Sequence, residues 1–138
     1  MKHVYLLIAV LVMTACASQK DYTLLVGTYT KNTSSKGIYA VRVVPAAKQF
    51  TILSTSGTVE NPSFLAFHPE LSQAPVSSER RVYAVGEGNG AGSVHAFHLD
   101  TKSGVLEPLN ALTAVGSGSC SVAATENHVA IANYSTGN

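Results

Sequence analysis

Tyr83-Ala84-Val85-Gly86-Glu87 is a short apolar run that ends in a glycine and a polar residue, and the chain carries related forms of it on either side. Upstream stands Leu24-Leu25-Val26-Gly27-Thr28, and downstream Ala130-Ile131-Ala132-Asn133-Tyr134. Each reads as a strand of four or five residues closed by a turn former. The blocks around them recur in the same order. Gly37-Ile38-Tyr39-Ala40-Val41-Arg42-Val43 returns as Ser93-Val94-His95-Ala96-Phe97-His98-Leu99, and Asn61-Pro62-Ser63-Phe64-Leu65-Ala66 returns as Gly118-Ser119-Cys120-Ser121-Val122-Ala123. Internal self-similarity decides the fold before any single motif does, because each repeat is one supersecondary unit that buries its apolar face only against its neighbours.

A repeat of roughly 50 residues built from four short strands suits a β-propeller blade. Phe64 to His68 is then expected as the innermost strand of one blade, RVYAVGE (81–87) as the second, SVHAFHLD (93–100) as the third and VLEPLNAL (105–112) as the outermost. The polar stretch HPELSQAPVSSERR (68–81), with two prolines, reads as a surface loop insertion. Helix signals are nearly absent after residue 20. The expected class is therefore all-β: a partial propeller of about two and a half blades, with the first blade lacking its innermost strand. Such an open stack leaves sheet edges and channel wall uncovered, so the chain is expected to be the N-terminal part of a longer protein.

Of the 138 residues 46% are apolar and 12% charged, which favours a packed fold over disorder. Residues 1–15 are set apart as an export signal. A basic start, Lys2-His3, precedes an apolar run from Val4 to Met13, too short for the roughly 20 residues that a membrane span requires. Small residues followed at once by Cys16 resemble a bacterial lipoprotein signal, with Cys16 as the lipidated N-terminus, 16–22 as a linker and 23–138 as the propeller. The alternative is an ordinary export signal with an incidental cysteine. On the first reading Cys120 has no disulfide partner, and the only membrane contact is the lipid, on the periplasmic side or at the outer membrane. Lys and Arg total 9 against 8 Asp and Glu; Lys2 leaves with the signal, so the mature segment is formally neutral and offers no basic patch for nucleic acid.

GTYT (27–30), GIYAVRV (37–43), NPSFLAFHP (61–69), VYAVGE (82–87), GSVHAF (92–97), GSGSCSVA (116–123) and ANY (132–134) together resemble the opening blades of the seven-bladed propeller lactonases, the family of bacterial 6-phosphogluconolactonases of the propeller type and carboxymuconate-lactonizing enzymes. The resemblance covers residues 23–138. It implies a seven-bladed ring and hydrolysis of a sugar δ-lactone, phosphorylated or not, in carbohydrate metabolism and without a cofactor. Where family members commonly read Pro-Cys-His this chain has Ser119-Cys120-Ser121, so one imidazole is missing.

Antiparallel neighbours reverse direction, so the start of an innermost strand and the end of the second strand share one end of a blade. Asn61, Glu87, Cys120, Asn133 and Tyr134 are thereby expected on one face near the axis. Lactone hydrolysis needs a base for water, donors for the oxyanion and partners for sugar hydroxyls. Glu87 is the carboxylate placed for the first task, and Tyr29, Asn61, Cys120, Asn133 and Tyr134 for substrate contact. The same residues also suit a non-catalytic exported propeller that binds a glycan or a protein. The glycine-rich run at 86–91 mimics a dinucleotide fingerprint but leads into a strand, where that fingerprint needs a helix. His95 and His98 point to opposite faces of a strand and make no zinc pair.

Overall fold

The computed structural model describes residues 20–69, 79–88 and 90–138; the expected signal and Cys16 lie outside them. Among the described residues nine strands form three antiparallel sheets. In the first, β1 (Tyr22–Val26), β2 (Ile38–Val44) and β3 (Gln49–Ser56) run in the order β1-β2-β3. In the second, β4 (Leu65–Phe67), β5 (Glu79–Gly86), β6 (Ala91–Asp100) and β7 (Leu106–Ser117) make a four-stranded meander. The third pairs β8 (Ser119–Ala124) with β9 (Val129–Asn133). These are one complete blade, one blade without its innermost strand and the inner half of a third, in the expected order.

Turn chemistry closes the β2–β3 and β6–β7 hairpins. Between β2 and β3 a short 3-10 turn, Pro45–Ala47, ends at Lys48 in the left-handed region, with Lys48 N–H bonded to Pro45 O at 3.1 Å. Between β6 and β7, Asp100 Oδ1 accepts from Lys102 N–H at 2.8 Å, and Gly104 turns back at φ 74°. Only glycine fits there for a second reason. A Cβ on Gly104 would stand 2.8 Å from Leu53 Cβ and 2.9 Å from Ala40 Cβ, so the tip of the second blade lies directly on the first.

The main core fills the space between those two blades. Ile38 of β2, Val59 of the linker, Val82 and Ala84 of β5, Phe97 and Leu99 of β6 and Leu106 of β7 are all buried, with Leu25 and Leu65 packed against them. Val82 and Ala84, like Phe97 and Leu99, alternate along their strands, which is what a sheet with one face on this core requires. The other face of β5 packs on β8, where Val85 and Val122 are buried. On the far side of the first blade Tyr22, Leu24 and Val26 of β1 stay exposed beside Phe50 and Ile52 of β3. Across the registers Tyr22↔Val43↔Phe50 and Leu24↔Val41↔Ile52 they form one continuous apolar face.

The insertion expected over 68–81 is shorter at its end than the sequence suggested. Glu79, Arg80 and Arg81 belong to β5 and pair with Asp100, Leu99 and His98, while His68 N–H bonds to Arg81 O at 3.0 Å. A long β6 offers backbone partners that a count of polar residues does not reveal. The outermost strand likewise continues past Leu112 to Ser117, with register shifts against β6 at Ala91/Ser93 and Ala96/Phe97.

Candidate functional site

Asn61 organises the junction where the first two blades meet. It lies in the linker entering β4, at φ 47°, a left-handed conformation that asparagine tolerates better than most residues. Its side chain is buried and hydrogen-bonded through both its oxygen and its nitrogen. Oδ1 accepts from Thr30 N–H at 2.8 Å and Lys31 N–H at 3.0 Å, both in the loop after β1, while Nδ2 donates to Glu87 O at 3.0 Å. In return Glu87 N–H reaches Asn61 O at 3.3 Å. Close approach is built into the neighbouring backbone too: a Cβ on Gly27 would fall 2.0 Å from Pro62 O.

From that loop the Tyr29 phenol reaches across the blades and donates a hydrogen bond to Glu87 Oε2. By accepting it, the Glu87 carboxylate holds the Tyr29 pKa above the ordinary tyrosine value; desolvation and the charges of Glu87 and Cys120 push the same way, and Ser63 opposes them. Ser63 Oγ is itself buried without a hydrogen-bond partner. Tyr29, Glu87, Ser63 and Cys120 thus form one cluster near the axis.

Glu87 also fronts a cavity of about 480 Å3 between the second and third blades, lined with Gly88, Gly90, Ser117, Gly118, Cys120, Tyr134 and Ser135. Glu87 is the single charged side chain of that lining among the described residues. A matching hollow of about 560 Å3 lies one blade back, lined by hydroxyls of Thr30, Ser35, Thr55 and Thr58 with Lys36 and Glu60. Glu60 separates the two: its Oε2 would lie 3.5 Å from a Cβ on Gly88.

The structure therefore brings Tyr29, Asn61, Glu87, Cys120 and Tyr134 to one corner. It gives them different tasks. Glu87, Cys120 and the exposed Tyr134 face the cavity, whereas Asn61 is occupied in joining backbone segments. Asn133 is buried below the cavity, where Oδ1 accepts from Ser119 Oγ at 2.6 Å and Nδ2 approaches Asn138 Oδ1 at 3.4 Å. It holds the turn after β9 and is not part of the lining. Ser117, Gly118 and Ser135 are lining residues that the sequence reading did not single out. Gly118 sits at φ 69° where β7 hands over to β8, and its N-terminal neighbour belongs to the repeated Gly-Ser signal that could have marked it.

Neither histidine of β6 joins this corner. His95 Nε2 lies 2.9 Å from Ser93 Oγ, its ring stacks on Phe97, and burial pushes its pKa below the ordinary value. His98 sits between Glu79, at 3.6 Å, and Glu107, at 3.9 Å, on the two flanking strands. Among the described residues no group of three or more His, Cys, Asp or Glu is placed to hold a metal ion. Nor does any described helix have the length and apolar character to cross a membrane.

The family model for lactonases of the seven-bladed β-propeller type matches residues 23–138. The chain belongs to that lactonase family. Solved structures agree with the assignment. This lactonase-family chain superposes on a candidate 6-phosphogluconolactonase of Bacteroides uniformis with a TM-score of 0.71 at 34% identity, over 86% of this chain and 32% of that one. A candidate 6-phosphogluconolactonase of Bacteroides fragilis matches with a TM-score of 0.69 at 31% identity, over 85% and 30%. The periplasmic gluconolactonase of Pseudomonas aeruginosa matches at 0.67 and 27% identity, over 83% and 31%. The chain spans about a third of the length of these structures. A comparison with curated proteins returns no match.

Proposed function

We propose that the protein to which these blades belong hydrolyses a sugar δ-lactone, and that its substrate is an unphosphorylated aldonolactone. The observation that carries the reading is Glu87: a carboxylate fixed at its backbone and at one oxygen, facing a cavity otherwise lined by glycines, hydroxyls and a thiol. In that position Glu87 takes a proton from water as the water oxygen attacks the lactone carbonyl. The ring C–O bond then breaks, and the proton passes from Glu87 to the departing alkoxide to give the open hydroxy acid. Tyr134, Ser117 and Ser135 supply hydroxyls for the oxyanion and the sugar.

Charge supports the unphosphorylated substrate. Glu87 and nearby Glu60 repel a phosphate dianion, and no Lys or Arg lines this cavity among the described residues. Likeness to a periplasmic gluconolactonase supports the same substrate and an exported location. On this reading Cys16 carries the lipid that holds the protein to the cell envelope; incorporation of labelled palmitate, lost in Cys16→Ser, checks that part.

The function is tested by pH-stat titration of the acid released from glucono-δ-lactone and from its 6-phosphate, each corrected for spontaneous hydrolysis. Faster turnover of the unphosphorylated lactone is expected. Preference for the phosphate ester overturns the substrate assignment. Saturable binding of lactone with no rate above the spontaneous one overturns the enzymatic reading in favour of an exported binding module.

A further inference from the structure

We infer that Tyr29 is a positioning residue for Glu87, carried to it from the neighbouring blade by Asn61. The inference rests on the reading of Glu87 as the base and adds a device that fixes it. Three observations converge. The loop bearing Tyr29 is anchored at its next two backbone N–H groups, those of Thr30 and Lys31, on Asn61 Oδ1. Through Nδ2 the same side chain holds the backbone of Glu87. From this shared anchor the phenol donates to Oε2 of the carboxylate, 58 residues away in sequence.

The arrangement does chemical work. A carboxylate free to rotate offers either oxygen to the cavity in changing geometry; one with Oε2 engaged by a phenol presents Oε1 in a fixed direction. Orientation of that kind matters because a misplacement of about 1 Å at the reacting atoms costs roughly 100-fold in rate. The raised pKa of Tyr29 keeps the phenol protonated, and so able to donate, throughout the range in which a carboxylate acts as a base. The titratable groups facing Tyr29 are Glu87 and Cys120, and the orphaned Ser63 hydroxyl lies beside them.

Two measurements on the full-length protein decide the matter. The first is an absorbance titration of tyrosine ionisation, with Tyr29 isolated as the difference between wild type and Tyr29→Phe. Glu87→Gln should bring the Tyr29 transition down toward that of an ordinary tyrosine, a change that a general loss of packing would not produce selectively. The second is lactone turnover: Tyr29→Phe should lower kcat by roughly 10- to 100-fold and leave KM within about two-fold. An unchanged Tyr29 transition in Glu87→Gln overturns the inference, and so does an unchanged kcat in Tyr29→Phe. A wild type with no lactone turnover but a coupled titration sinks the enzymatic reading alone and supports the contact between Tyr29 and Glu87.

Discussion

Replacing Asn61 with alanine should destabilise the protein by about 4 kcal/mol, and glycine at the same position by about 3 kcal/mol. Four hydrogen bonds vanish with the side chain; the one from the Thr30 hydroxyl is the longest at 3.3 Å, and the three that carry the cost are those from the Thr30 and Lys31 N–H groups and the one to Glu87 O. At about 1 kcal/mol net for each, these three account for about 3 kcal/mol. Alanine adds a backbone cost of about 1 kcal/mol, because φ at this position is 47° and a Cβ meets the following carbonyl in the left-handed region. Glycine removes the side-chain bonds without that cost, so the two variants separate the contacts from the conformation. Asn61→Asp should cost at least as much as glycine, since a carboxylate oxygen then faces the Glu87 carbonyl oxygen where the amide had donated. Urea unfolding with a common m-value gives the differences directly. Alanine costing under about 1 kcal/mol, or glycine costing more than alanine, would refute the claim that this one side chain joins the two blades.

Other outcomes follow from the same contacts. Phe97 is completely buried between the first two blades, and Phe97→Ala should cost about 3–5 kcal/mol in urea unfolding; a loss below about 1 kcal/mol means the core lies elsewhere. Burial holds the His95 pKa below its ordinary value of 6.5. The unfolded chain therefore takes up a proton that the folded chain still refuses, and this contribution to stability is present above about pH 6.5 and lost as the pH falls below it. His95→Gln should flatten that part of the stability profile between pH 7.5 and 5, and parallel profiles for the two proteins would remove burial of His95 as its cause.

Much of the fold was legible because the blades repeat. Tyr83 to Glu87 aligns with its two relatives by pattern alone, and the phase of that pattern places β4 to β7 in spatial order. Glu79 to Arg81 were lost to a loop because their pairing depends on how far β6 runs, a non-local fact. The site divides in the same way. Antiparallel reversal was enough to bring Asn61, Glu87, Cys120 and Tyr134 to one end of the blades. It could not say that Asn61 and Asn133 turn their amides to backbone and to Ser119 and not to the cavity, because an amide serves ligand and scaffold with the same atoms. His98 between Glu79 and Glu107 is a cross-strand arrangement, readable only once the register is known.

The corner at Asn61 also bears on what counts as a module in this fold. By strand order the unit is a blade, and the sheets of this chain divide accordingly. By the chemistry of the corner it is not, because Tyr29 comes from one blade, Glu87 from the next, and Asn61 from the linker between them. A blade grafted alone into another propeller would bring the carboxylate and leave its phenol behind. The smallest transferable piece runs from the end of β1 to Glu87, straddling two sheets, so recombination among such proteins keeps this contact only when no breakpoint falls inside that span.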